Sequence, residues 1–367
     1  MQIKEFLTTL NRHNIDISLS GDNLEVNYDG ELDETLLGQI RERKPELVRF
    51  LKGLNQSLMA HSEIPVLPKM DGYPLSSPQR RMWILSQFDD ANLANNELGF
   101  YQFSGDLNIP ALENAYRKII ERHEILRTVF RYGASGDICQ FVVEPEEAET
   151  AIELIDLSKD EQRDEKAREM VKKMVGTPFN LSQGPLIFAK LIKISEKEFV
   201  FGYVAHHIIS DGWSMDLLIQ ELLFLYKGFS EGKEPELSPL RIQYKDFASW
   251  QQKQIAEGTD NLHAEYWIDR FSDEIPVLNL SGDRPRPKVR TYNGGKKDIS
   301  LGTELTEKLK EFSRESAATL FMIGLAGVKA LLYKYTGQSD LIVGTGLAGR
   351  NHTVSYTHLT LPTSTHV

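Results

Sequence analysis

The stretch "AHHIISDGWS", residues 205–214, ends an apolar run in two adjacent histidines and sets an aspartate four positions after the second. Side chains alternate across a strand, so His206 and His207 point to opposite faces while the strand lasts, and only one of them lines a given cavity. Ile208, Ile209 and Ser210 lead to Asp211-Gly212, where the glycine admits a backbone conformation costly for other residues, and a helix is predicted from near Ser214. A polar pair at a strand's end, just before a turn and a helix start, is where α/β folds tend to place sites. The residues alone leave a plainer reading open. A histidine in this place is more often a hydrogen-bonded structural residue, and Asp211 equally suits the cap of the following helix.

With 367 residues, 41% of them hydrophobic, the chain has material for two or three domains. A single cysteine, Cys139, excludes an internal disulfide, and no window approaches the roughly 20 apolar residues of a membrane span. The start "MQIKEFLTTLNRHNID" lacks a basic segment followed by an apolar one, so a reduced, cytoplasmic setting is expected. A net charge of -11 argues against nucleic acid as the main partner, because phosphate binding needs clustered Lys and Arg.

Residues 1–52 read as a small unit: Ile3, Phe6, Leu7 and Leu10 at helical spacing, then alternating Ile15, Ile17, Leu19 and Leu24, Val26, Tyr28 around Ser20-Gly21-Asp22-Asn23, a hairpin signature. Two helical patterns follow, "DETLLGQIRER" and "PELVRFLKGL". So short a unit buries little surface, and a dimer or an outside partner would help it. Residues 53–72 show neither period, carry Pro65 and Pro68, and read as a linker. From Tyr73 helices and strands alternate. "IPALENAYRKIIERHEILRTVF" is a helix running into an extended end, "DEQRDEKAREMVKKMV" a charged amphipathic helix, and "FAKLIKISEKEFVFGYVAHH" a hairpin. "SMDLLIQELLFLYKGF" and "TEKLKEFSRES" are helical patterns, "TLFMIGLAGVKALLYKYT" reads as a largely buried helix, and "SDLIVGTGLAG" as a strand ending in glycines. Gly344, Gly346 and Gly349 nearly match a dinucleotide loop, but no helix pattern and no ribose-binding acid follow them.

Motifs in a fixed order then carry a resemblance. "LSSPQRRMW" (75–83), "RHEILRTVF" (122–130), "TPFNLSQGPL" (177–186), "HHIISDGWS" (206–214), "YKDFASWQ" (244–251), "EYWIDRF" (265–271), "DRPRP" (283–287) and "YTGQSDLIVGTGLAGRN" (335–351) resemble the series of nonribosomal peptide synthetase condensation domains. These are members of the chloramphenicol acetyltransferase-like superfamily. The first 52 residues are similar to N-terminal docking domains of the tubulysin-synthetase type. The fold implied is a helix-hairpin-helix-helix docking domain followed by a two-lobe α/β sandwich, with an N-terminal lobe over 73–240 and a partial C-terminal lobe over 241–353.

The resemblance implies amide formation between a donor and an acceptor, each carried as a phosphopantetheine thioester on a carrier protein. It implies no cofactor bound directly and no membrane partner. No metal is expected, since adjacent histidines lack the i, i+4 spacing of a helical zinc site. His207 is expected to accept the proton of the attacking amine and His206 to be structural. Gly212 is expected to offer its N–H to an oxyanion. Asp211 is expected to pair with an arginine that orients the histidine loop, Arg350 first, Arg127 second and Arg122 last. Trp213 is read either as core or as part of the site. No Gly-x-Ser-x-Gly elbow surrounds Ser210 or Ser214, which argues against a serine nucleophile. "RHEILRTVF" with "SDGWS" resembles the class joining two L-configured residues.

The resemblance further implies a homodimeric docking domain whose hairpin accepts the C-terminal tail of an upstream synthetase as an added strand. An exposed hairpin edge offers unpaired backbone groups, and Asp16, Asp22, Glu25 and Asp29 favour a basic tail. Those acids are equally readable as a solvated face.

After Asn351 the pattern stops. "VSYTHLTLPT", Val354–Thr363, is letter for letter the translation of a common sequencing-library adapter, so residues 354–367 are expected to be a non-native tail and the second lobe to be incomplete. The other readings are a docking module with an inert condensation lobe, and an acyltransferase using free coenzyme A thioesters.

Overall fold

The computed structural model describes residue 6, then 15–20, 23–28, 34–48, 64–88, 92–149, 151–258, 261–280, 282, 292, 294–295, 297–346 and 365–366. Asp22, Asp29, Arg350, the "DRPRP" stretch and all of 354–367 except Thr365–His366 lie outside those residues. The chain divides into two compact units, Met1–Ile64 and Pro65–Val367.

In the first unit the alternating apolar residues form β1 (Ile15–Ser20) and β2 (Asn23–Tyr28), paired antiparallel from Ile15↔Tyr28 to Ser20↔Asn23. Two residues join the strands, the connection length that matches strand twist best. Helix α1 (Glu34–Glu42) follows. Phe6, Ile40 and Leu47 are buried, and the Arg43 guanidinium lies 5.1 Å from the Phe6 ring centroid.

The second unit opens with β3 (Tyr73–Pro74) and α2 (Ser77–Leu85). The start of α2 is a full capping box: Ser76 Oγ accepts from Gln79 N, and Gln79 Oε1 accepts from Ser76 N. Next come β4 (Asn96–Ser104) and α3 (Ile109–Arg122), whose apolar stripe Leu112, Ala115, Tyr116, Ile119 and Ile120 is buried. A 3₁₀ turn at Glu124–Arg127 leads into β5 (Thr128–Tyr132) and β6 (Ile138–Val142), which join β3 in a three-stranded sheet of order β3-β6-β5.

The larger sheet has the order β4-β9-β8-β7, built from β7 (Ile152–Asp156), β8 (Ile187–Ser195) and β9 (Glu198–His206), with α4 (Arg163–Val175) on the crossover from β7 to its parallel neighbour β8. β9 is a central strand, held on both sides by antiparallel ladders. Helix α5 (Gly212–Ser230) follows directly and buries Met215, Leu218, Ile219, Leu222 and Leu225 in one core with α3 and the strand residues Leu191, Phe199, Phe201 and Tyr203. Each such aliphatic side chain contributes about 1.5–3 kcal/mol by leaving water, so the start of α5 is anchored by its whole length.

Helices α6 (Tyr244–Ala256), α7 (Asn261–Arg270), α8 (Gly302–Glu315) and α9 (Leu320–Thr336) complete the helical part. Strand β10 (Thr345–Gly346) pairs antiparallel with β11 (Thr365–His366). Two expectations fail here. Helix α9 forms over the apolar run but buries none of its residues, because the described elements leave its faces uncovered. Leu341–Gly344 is irregular, so among the described residues of the expected strand only the two of β10 are extended and paired. Among the described residues no single helix is long and apolar enough to cross a membrane.

Candidate functional site

The strand register separates the two histidines as alternation requires. His206 sits opposite Asn96 and is fully buried. Its Nδ1 accepts the Ile208 N–H at 3.0 Å, which leaves the ring proton on Nε2 to be donated to Asn92 Oδ1 at 3.0 Å. Phe179 stands edge-on to the ring. Burial, with a smaller contribution from His207, pulls its pKa down to about 4, so the ring is neutral and fully bonded.

His207 continues the ladder by one step, its N–H donating to the Asn95 carbonyl at 2.7 Å, and its ring turns to the other face. There Nδ1 lies 2.9 Å from Oε1 of Glu97, with the two side chains each 27% exposed. The contact is short but off the N–H direction, so it acts as a charge contact more than as an aligned hydrogen bond. Nδ1 itself is sealed from solvent, so the exposed part of the side chain lies elsewhere on it. Burial alone lowers the pKa of His207, but the Glu97 carboxylate, a backbone bond at Ser210 and the charge of Asp211 outweigh it, and the net shift is upward.

The turn that follows is held from inside. Ile208 and Ile209 are fully buried, and Ser210 Oγ donates to Glu97 Oε2 at 3.0 Å. Asp211 is buried and caps α5, its Oδ1 accepting the Ser214 N–H at 2.7 Å. Of the arginines expected beside it, Arg127 instead donates through Nη1 to the Val143 carbonyl, and Arg122 pairs through Nε with Glu221 at 3.3 Å. Both are drawn off because the segment around them closes on other groups: His123 Nε2 also meets Glu221 at 2.7 Å, and Arg127 faces a cleft of about 640 Å³ shared with Lys69, Glu144 and Lys245. That cleft contains neither histidine of the pair.

Gly212 corrects a further expectation. It begins α5 without a positive φ, so the backbone here does not demand glycine. A methyl group at its Cα would meet nothing within 4 Å, and what the glycine leaves is open space beside the site. Trp213 is half exposed and not core. On the face that carries Glu97, a Cβ at Gly99 would fall 2.2 Å from the Tyr203 ring, so glycine lets that ring lie across β4, stacked with Tyr101 at 6.4 Å. Asp16 and Glu25 lie on β1 and β2 of the first unit.

Sequence reasoning missed Glu97 and Asn92, the two side chains that fix the histidine rings. Neither stands in the "HHIISDGWS" motif, and both reach it across more than 100 residues of sequence. The available signal is a carboxylate in the β-patterned "NNELGFYQF" run.

A mixed α/β fold with a histidine pair closing its central strand and an Asp-Gly helix start defines the chloramphenicol acetyltransferase-like class. Within it the chain belongs to the condensation-domain family, which residues 69–360 match, while residues 3–53 match the TubC N-terminal docking domain. It is 38% identical to gramicidin S synthase 2 of Aneurinibacillus migulanus over 288 residues, 78% of this chain and 6% of that one. Bacitracin synthase 2 of Bacillus licheniformis is 36% identical over 354 residues, 96% of this chain and 13% of that one. The chain thus spans a small part of the length of these relatives. Among solved structures, the first condensation domain of the calcium-dependent antibiotic synthetase, in complex with a substrate analogue, is similar at a TM-score of 0.66 and 21% identity, covering 80% of this chain and 68% of that one. The X-domain from teicoplanin biosynthesis is similar at a TM-score of 0.69 and 24% identity, covering 81% and 65%.

Proposed function

We propose that this chain joins a donor acyl or peptidyl group to an acceptor aminoacyl group by an amide bond, both delivered as phosphopantetheine thioesters on carrier proteins. The acceptor's α-amine has an ordinary pKa of about 7.7–8.0, so a useful fraction is neutral near pH 7 and needs little activation before it attacks. The tasks left to the protein are to align amine and thioester carbonyl, steady the charge on the carbonyl oxygen, and take a proton from nitrogen as the C–N bond forms. The C–S bond then breaks and the donor's pantetheine leaves as its thiol, taking up a proton in turn. His207 takes that proton. The observation that carries this reading is its ring, sealed at Nδ1 against Glu97 on a side chain that stays partly exposed. His206, buried and neutral, holds the loop. Asp211 fixes the start of α5, with Arg350 as the arginine assigned to it by resemblance. Gly212 leaves room for the reacting groups and offers its N–H to the oxyanion.

Residues 1–52 serve as a docking domain for the C-terminal tail of an upstream synthetase, as a homodimer, with residues 53–72 linking it to the condensation domain. The β1-β2 hairpin supplies the edge for an added strand, and Asp16, Asp22, Glu25 and Asp29 select a basic tail. The setting is the cytoplasm.

The test uses full-length protein with loaded donor and acceptor carrier domains. Dipeptidyl thioester forms, and His207→Ala lowers its rate by at least about 100-fold, the floor for losing a positioned base. Undiminished product from that variant removes His207 from the mechanism.

A further inference from the structure

Glu97 has no place in the motif around His207, yet it touches both ends of that motif's turn. It lies on β4 directly opposite Ala205 of β9, and β4 and β9 stay in register to Asn96↔His206. Because residues two apart share a face, Glu97 and His207 are diagonal neighbours on one side of the sheet. The carboxylate divides its oxygens: Oε1 stands 2.9 Å from His207 Nδ1, and Oε2 accepts the Ser210 hydroxyl at 3.0 Å. Ser210 is fully buried, so its hydroxyl is a fixed peg.

We propose that Glu97 is the positioning residue for His207, held in place by Ser210, and that it keeps the imidazole proton on Nδ1 so that Nε2 presents its lone pair to the substrate. The assignment rests on His207 acting as the base. An imidazole carries one proton on one of two nitrogens, and the hydrogen bond or charge at the first decides which lone pair the second offers. A carboxylate at Nδ1 favours the required tautomer and stabilises the imidazolium formed when the amine's proton arrives. The imperfect alignment at rest fits this role, since such contacts tighten as charge develops.

The other charged groups around the ring are named by the same geometry. Asp211 approaches from the start of α5 and adds to the effect of Glu97, whereas His206 on β9 is neutral and bonded away to Asn92. Further along the face, Tyr203 feels Glu97, Tyr101 and Asp216. Among these carboxylates, Glu97 sets an oxygen against Nδ1.

The decisive experiment is Glu97→Gln, which keeps the shape and removes the charge. In the full-length protein with loaded carriers, product formation at neutral pH falls about tenfold, less than for loss of the base itself. The acid limb of the rate–pH profile moves to lower pH, because the imidazole loses the partner that raises its proton affinity. A residue needed only for folding lowers the rate without moving that limb. An NMR titration of the His207 ring, assigned by its disappearance in His207→Ala, shows the same downward shift of the midpoint. Ser210→Ala shifts both in the same direction by less, and decides the matter should Glu97→Gln fold poorly. A limb and a midpoint that stay where they are overturn the proposal, whatever the rate. Undiminished product from His207→Ala instead overturns the catalytic reading, while the NMR midpoint still decides whether Glu97 governs the ring.

Discussion

Helices α5 and α9 carry similar stretches of Leu, Met, Ile and aromatic residues, yet α5 buries Met215, Leu218, Ile219, Leu222 and Leu225 and α9 buries nothing. The difference lies in the neighbours. α5 finds α3 on one side and the β9-β8 sheet beneath, and the three interlock in a single core. Helix α9 has apolar side chains nearly all round, the pattern of a helix meant for a protein interior, while Leu320, Phe321, Met322, Leu331 and Tyr335 are each more than half exposed. Among the described residues, every buried hydrophobic side chain lies at or before Ala248. The histidine loop belongs to the packed region, so its geometry is fixed by a core that owes nothing to the described residues after Ala248.

The largest expected effect tests that claim directly. Leu222→Ala empties a fully packed position in α5 and costs about 2–5 kcal/mol of stability. Leu331→Ala in α9, at 55% exposure, stays within about 0.5 kcal/mol. Denaturant unfolding of the two variants reads both, and equal losses would show that α9 is covered in solution.

Acid separates the same regions by about 3 kcal/mol. The native pKa of His206 is about 4 against an ordinary 6.5, so within that window the unfolded chain binds a proton that the native chain refuses. Stability is therefore unaffected by this group above pH 6.5 and falls progressively as the pH drops toward 4. His123, lowered chiefly by burial, acts in the same sense. His207 acts in the opposite sense: its raised pKa adds stability below the ordinary value and loses it as pH rises through the folded value. Hydrogen-exchange protection factors at pH 5 and pH 7 show a loss in β8, β9 and α5 and no change in α8 and α9. His206→Asn removes much of the slope. A slope that survives that variant in full assigns the acid sensitivity elsewhere.

The packed region was also the more legible one. The spacing of Leu112, Ala115, Tyr116, Ile119 and Ile120 announces α3, and the short apolar run through "EFVFGYVAHH" announces β9, with strand geometry sending the two histidines at its end to opposite faces, because those signals are local. What the sequence did not disclose is pairing at a distance. Glu97 and Asn92 reach the histidines through β4 and the loop before it, and Arg127 and Arg122 leave Asp211 for Val143 and Glu221, choices made by tertiary closure. Gly212 looked like a residue required by its backbone and proves to be one that leaves space. In α9 the apolar period gave the helix correctly and its burial wrongly, since periodicity reports a helix's appetite for partners and not their presence.

A smaller effect bears on how the packed region carries the site. Asp211→Ala removes the bond to Ser214 N, which as an N-cap contributes about 1 kcal/mol, and so costs at least that much, while Asp211→Asn keeps an acceptor for the cap and loses less. Both variants leave α9 as it is.

The smallest expected change in stability belongs to α9 itself and reads the comparison from its other side. Contiguous exposed apolar surface beyond a few hundred Å² draws partners or copies of itself. Leu331→Lys combined with Phe321→Lys places charge on that surface without opening a cavity, so the unfolding midpoint stays within about 0.5 kcal/mol of the parent. Binding of an apolar fluorescent dye and concentration-dependent light scattering both drop, because what they report is the uncovered face. Were the same pair of substitutions to unfold the chain, α9 would have to be buried against something in solution, and the contrast with α5 would vanish.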